Sequence, residues 1–189
     1  MNTVPPDTAI VTPVDLLAMR DEAIGYDLVG GKLRERRKTM LTNLITGNIC
    51  SAIHKATRDS GWTVTCGVGF QCFWDAGRIR RADVAYHHVT RLTMEQVRAD
   101  GHCTVVPDLV VEVVGPTELF HDLTEKRMDW LEAGARLVWI FFPRTQTIEA
   151  YWADGSVREF RRTDILTAEP VLPEFRVPVA DLFKLPTDA

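Results

Sequence analysis

Residues 109–142 constrain the fold more than any other stretch. Leu109-Val110-Val111-Glu112-Val113-Val114 is a nearly unbroken β-branched run. A strand without polar alternation suits a central position covered on both faces. Residues 118–133 carry a helical pattern that stops at Gly134, and residues 136–142 form a second apolar run ended by Pro143. Strand, helix and strand in that order predict a right-handed parallel crossover. Glu112 is the exception inside the first run. A carboxylate among valines is costly unless it is paired or holds a metal, so Glu112 is a candidate functional residue on physical grounds alone.

The remaining elements complete an α/β domain with a mixed β-sheet flanked by helices. Residues 1–11 are polar, contain Pro5-Pro6 and are expected to fray, leaving 12–189 as a single domain. Thr12-Pro13 opens a short helix. Residues 26–29 and 33–36 flank Gly30-Gly31 as a small hairpin. A long helix is expected over 38–58, where Leu41, Leu44, Ile45, Ile49 and Ile53 recur at three- and four-residue spacing. Strands follow at 62–66, 69–74 and 81–87, and Thr93-x-x-Gln96 reads as a capping box. A hairpin pairs 147–152 with 157–160 around Asp154-Gly155. The tail, with Pro170, Pro173 and Pro178, is expected to wrap the surface before a last turn at 179–183.

Composition excludes some classes. With 189 residues the chain suits one domain, and 46% hydrophobic with 25% charged content is ordinary for a soluble protein. No apolar run approaches the ~20 residues of a membrane span. The first ten residues lack the basic start and apolar core of a secretory signal, so the cytoplasm is the expected location. Cys50, Cys66, Cys72 and Cys103 form no CxxC pair, which argues for reduced thiols rather than a zinc site; Cys66 and Cys72 could meet across a hairpin. The net charge of −4 disfavours a broadly basic coat but permits a local basic groove. Residues 32–38 hold five basic residues and one acid, Glu35, while Arg78, Arg80 and Arg81 crowd the approach to Asp83. Both runs read first as solvated strand or helix ends.

Alternate residues of a strand share a face, so Asp108 and Glu112 point the same way. They are roughly 13 Å apart along a strand, too far to grip one small cation together. Asp83 lies on another strand. If that strand is a neighbour, at ~4.8 Å, Asp83 and Glu112 can converge. Oxygen ligands without cysteine or paired histidine favour Mg2+ or Mn2+. A lysine nearby could position water or stabilise developing charge, and Lys126, two to three turns into the next helix, could reach the sheet edge by snorkelling. The alternatives stay open: Lys126 as an exposed lysine paired with Asp122 or Asp129, Asp83 as a strand-start acid, and Glu112 as half of a buried structural ion pair. His87-His88 point to opposite faces of a strand and make a poor chelate, while His121 lies near Lys126 and could border the site.

Arg80-Arg81-Ala82-Asp83-Val84-Ala85, the segment Pro107 to Pro116, Glu125-Lys126 and the segment Ala133 to Trp139, in that order and with those gaps, resemble the Uma-two family, described as "putative restriction endonucleases", in the PD-(D/E)XK nuclease superfamily. The resemblance covers roughly residues 12–185. It implies a restriction-endonuclease-like core and a Mg2+-dependent DNA endonuclease, with Mn2+ as a substitute. Asp83 and Glu112 would hold the metal, with the main-chain carbonyl of Val113 as a further ligand. The superfamily lysine two residues beyond the glutamate is replaced here by Val114, and in this family that role falls to Lys126. Glu35 resembles an additional acid near the first long helix. The chain departs from the family at Lys32, where an acid or amide is frequent, and at Gly115, where serine is frequent. A homodimer would suit the cutting of two strands. The acidic net charge and the absent E-x-K lysine motivate a competing reading: a nuclease-fold protein without activity that serves as a nucleic-acid-binding or structural module.

Overall fold

In the computed structural model, residues 10–65 and 67–185 are described. Cys66, and with it the possible Cys66–Cys72 pair, lies outside them, as do residues 1–9 of the expected fraying segment. Of that segment's remaining two residues, Val11 is buried and its N–H donates to the Gly31 carbonyl at 2.8 Å.

The chain opens with α1 (Pro13–Ala18), capped by reciprocal bonds between Thr12 and Asp15, and a 3-10 turn over Arg20–Gly25. The hairpin β1 (Tyr26–Val29) and β2 (Lys32–Glu35) follows, turning through Gly30 and Gly31, both at positive φ. Next come α2 (Met40–Thr57), β3 (Gly61–Thr65), β4 (Val84–His88), α3 (Met94–Arg98), β5 (Leu109–Val113), α4 (Phe120–Ala133) and β6 (Leu137–Phe142). The chain continues through β7 (Thr147–Trp152), β8 (Val157–Phe160), β9 (Ile165–Ala168), β10 (Leu172–Pro178) and α5 (Val179–Leu182).

The main sheet has six strands in the order β3-β4-β5-β6-β7-β8. Among the described residues, β5 and β6 are the one parallel pair of this sheet, and the helix between them is α4, as the run of residues 109–142 requires. Gly134 ends α4 in the left-handed conformation.

The expected crossover strand is buried at every position, and its alternation divides the core. Leu109, Val111 and Val113 pack with Ile45, Ile49 and Ile53 of α2 on one face. Val110 packs with Leu123 and Trp130 of α4 on the other. By the same alternation, Glu112 points toward α4. β4 lies antiparallel to β5, with Val84 opposite Val111, so Asp83, just before β4, sits beside Glu112.

Two expectations are corrected. Residues 69–74 form no strand: Phe70 makes only isolated bridges, to Arg80 and Cys103. The tail is not a surface wrap. Residues 165–178 form the antiparallel β9–β10 pair, and Phe175, Val179, Leu182 and Phe183 are buried in the α2-side core. Proline at 170, 173 and 178 masked a strand signal, since a peripheral two-stranded pair tolerates it better than a central strand does. Trp139 is fully buried in the core. No helix among the described residues is long and apolar enough to cross a membrane.

Candidate active site

The β1–β2 hairpin with the 36–38 segment after it, Arg80, the 117–118 turn and the first half of α4 enclose a polar cleft of about 300 Å³. Its lining includes Asp27, Arg34, Arg36, Lys38, Glu118 and Lys126. The cleft is basic on the hairpin side and acidic on the other, where Glu118 precedes α4 and Asp122 and Glu125 stand on it.

Glu112 forms the floor of the cluster. Its Oε2 accepts from Lys126 Nζ at 2.8 Å and its Oε1 from Trp130 Nε1 at 3.0 Å. All three side chains are buried. Lys126 therefore turns inward from α4 and does not pair with Asp122 or Asp129. Asp129 is taken by Arg80, whose Nε lies 2.7 Å away, and by Arg78. The one-turn spacing places Lys126 and Trp130, four residues apart on one helix face, over the same carboxylate.

Asp83 is held from three sides. Arg36 Nη2 donates to Oδ1 at 2.8 Å, and Lys38 Nζ and the Val113 N–H each donate to Oδ2 at 2.7 Å. Lys38 Nζ also donates to the Val113 carbonyl at 2.7 Å. The Val113 peptide thus binds Asp83 through its N–H on one side while its oxygen meets the same ammonium as Asp83.

Asp27, at 3% exposure, ties these groups together. It faces Lys126 Nζ at 3.7 Å, Arg36 Nε at 3.7 Å and Arg80 Nη1 at 3.5 Å, and accepts the Arg81 N–H at 3.0 Å.

The two candidate metal carboxylates are electrostatically unlike. Burial would raise Asp83, but Lys38, Arg36 and Lys126 outweigh it and hold its carboxyl below the ordinary range. Burial pushes Glu112 above its ordinary value; Lys126 opposes the shift and Asp83 adds to it. For Lys126, burial would lower the ammonium pKa, but Glu112 and Asp27 prevail and raise it. Lys126 stays charged across the accessible pH range.

The other candidates lie apart. Glu35 is on the cleft rim, with its side chain 54% exposed and paired to Arg37 at 2.8 Å. Asp108 is at the opposite end of β5, where it accepts the His88 N–H at 2.9 Å. His87 is buried and His88 exposed, on opposite faces as expected; His121 is exposed on α4. Arg78, Arg80 and Arg81 are not solvated strand ends: Arg80 and Arg81 are buried in the Asp27 and Asp129 network and against the Tyr26 carbonyl.

Asp27, Arg36, Lys38 and Trp130 join the cluster without a motif that marks them in the sequence. Asp27 carried the signal that selected Glu112, an acid beside the apolar pair Leu28-Val29. Arg36 and Lys38 share one side of an extended segment, and Glu35 and Arg37 the other, so period-two reading of the basic run would have separated inward from outward charges.

No trio of His, Cys, Asp or Glu side chains among the described residues is arranged to hold a metal. A divalent ion at this cluster needs a main-chain oxygen and water beside Asp83 and Glu112. The Lys38 ammonium, 2.7 Å from both the Asp83 carboxylate and the Val113 carbonyl, is a stand-in cation between two such oxygens. The donor set is all oxygen, which suits Mg2+ or Mn2+.

The sequence pattern of the Uma2 family, described as "Putative restriction endonuclease", matches residues 13–180. No curated protein matches the chain. Among solved structures, the chain is similar to a crystal structure from Anabaena variabilis, described as "a putative nuclease belonging to DUF820". The two share 16% identity and superimpose with a TM-score of 0.75 over 92% of this chain and 97% of that one. At that identity the likeness concerns the fold.

Proposed function

This chain belongs to the Uma2 family, and from that premise we propose that it is a Mg2+-dependent DNA endonuclease with its active centre at Asp83, Glu112 and Lys126. The observation that carries the reading is the juxtaposition of Asp83, just before β4, with Glu112 on the neighbouring β5, the two bonded at 2.7 and 2.8 Å to Lys38 and Lys126, which line the cleft, with the Val113 carbonyl bonded to the same Lys38.

Asp83, Glu112 and the Val113 carbonyl would hold the ion, with Mn2+ as a substitute. When bound, such an ion lowers the pKa of a coordinated water and offsets charge on the scissile phosphate. Asp83, kept ionised by its cationic neighbours, supplies the fixed negative charge. Glu112, oriented by Lys126 and Trp130, supplies the second carboxylate. Lys126 keeps its charge and offsets the anion that grows on the phosphate. Arg34 and Arg37 on the hairpin wall would meet neighbouring backbone phosphates. Glu35 acts at most at the rim, through Arg37. Two copies about a twofold axis would present one site to each strand, which is why a homodimer belongs to the proposal.

One observation favours a second reading. Each carboxylate of the cluster already has an internal cation: Lys38 and Arg36 for Asp83, Lys126 for Glu112. Such a closed network could serve a non-cleaving nucleic-acid-binding or structural module. Purified protein incubated with supercoiled plasmid in Mg2+, Mn2+ or EDTA separates the readings. Nicking that requires the metal supports the nuclease; retarded but intact plasmid in every condition supports the module.

A further inference from the structure

Resting on the metal reading above, we propose that Lys38 is a built-in competitor for the metal position: its ammonium and a divalent ion are alternative occupants of the Asp83 carboxylate and the Val113 carbonyl.

Three observations carry this. The first is geometric. Lys38 Nζ lies 2.7 Å from Asp83 Oδ2 and 2.7 Å from the Val113 oxygen. A Mg2+ ion sits about 2.0–2.1 Å from each of its oxygens. Two cations sharing those same oxygens would be in near contact, so one must leave.

The second is that Lys38 is placed there by its neighbours. Gly115, just past β5, lies against the Arg37 carbonyl, and a Cβ on Gly115 would come within 2.6 Å of that oxygen. Thr39 caps α2 through reciprocal bonds with Thr42. The backbone is therefore fixed on both sides of Lys38 and aims its side chain at the end of β5.

The third is that Lys38 can leave and the site survives. Its side chain is 16% exposed and lines the cleft, whereas that of Lys126 is 5% exposed. After its departure Asp83 still accepts from Arg36 and from the Val113 N–H. A displaced Lys38 moves into the cleft beside Arg34 and Arg37, where a phosphate can receive it. Metal loading and grip on the nucleic-acid backbone are then coupled, and each strengthens the other.

The test is Mn2+ affinity, read from the electron paramagnetic resonance of free Mn2+, for the wild type, Lys38→Met and Asp83→Asn, with folding checked by circular dichroism. Lys38→Met is expected to bind Mn2+ at least about tenfold more tightly than the wild type, and Asp83→Asn to lose binding. Equal or weaker binding by Lys38→Met, with binding still lost in Asp83→Asn, would overturn the competition and leave the metal reading intact. Asp83→Asn binding Mn2+ as the wild type does would remove the metal reading and this inference with it. A second measurement uses the unaltered protein. Acetylation of Lys38, followed by mass spectrometry, should accelerate several-fold on saturation with Mg2+, and an unchanged rate would contradict displacement.

Discussion

Lys126 and Glu112 form a buried ion pair, Nζ to Oε2 at 2.8 Å, that joins the middle of α4 to the central strand β5. Removing one partner of such a pair leaves an uncompensated buried charge, at a cost of about 3–5 kcal/mol. Lys126→Met should therefore lower stability by that order, measured by urea unfolding. Glu112→Gln combined with Lys126→Met should be less destabilised than the sum of the single changes, with a coupling of about 1–3 kcal/mol. Neither Lys126→Met nor the double variant should recover nuclease activity, which separates the pair's structural part from its chemical one.

Gly115→Ala should disturb the site without touching a charged group. Its new methyl group would meet the Arg37 carbonyl, which is main chain and cannot rotate away. A loss of about 1–3 kcal/mol in stability is expected from such overpacking. Shifting the 36–38 segment should also weaken the hold on Asp83. Unfolding and Mn2+-binding measurements on this one variant check both effects.

The pH dependence of stability should carry a contribution from His87. Burial pulls its pKa down to about 4; Asp108 opposes the shift and Arg91 adds to it. The unfolded histidine titrates near 6.5, so between the two values the unfolded chain binds more protons. This contribution is constant above pH 6.5 and is lost as pH falls toward 4, amounting to about 3 kcal/mol at full extent. Unfolding free energies of the wild type and His87→Leu at pH 7.5 and 4.5 test it. The wild type should lose more stability than the variant over that interval, and parallel losses would contradict the assignment.

Much of the fold could be read from strand and helix patterning. The run at 109–113, the helix ending at Gly134 and the 147–160 hairpin all announce themselves by period and punctuation, because burial on a sheet dictates residue type there. The Pro-bearing β10 did not, since its pairing with β9 is decided by packing on α2 rather than by local pattern. At the site, Glu112 stood out because an acid among valines is expensive. Lys38 and Arg36 did not, because inside a run of five basic residues each looks like its solvated neighbours. Their distinction comes from a hairpin that folds against β5, a contact about 75 residues distant in the chain for Lys38 and Val113. Glu35 drew attention by the same run and faces the other way.

Asp83 and Glu112 are proposed to support metal-dependent hydrolysis of DNA together. Conversion of supercoiled plasmid to nicked and linear forms in Mg2+, compared between the wild type, Asp83→Asn and Glu112→Gln, tests it most directly. The wild type should cleave in a manner that EDTA abolishes, and each folded variant should fall by about 100-fold or more. Metal-dependent cleavage that persists at the wild-type rate in both variants would contradict it.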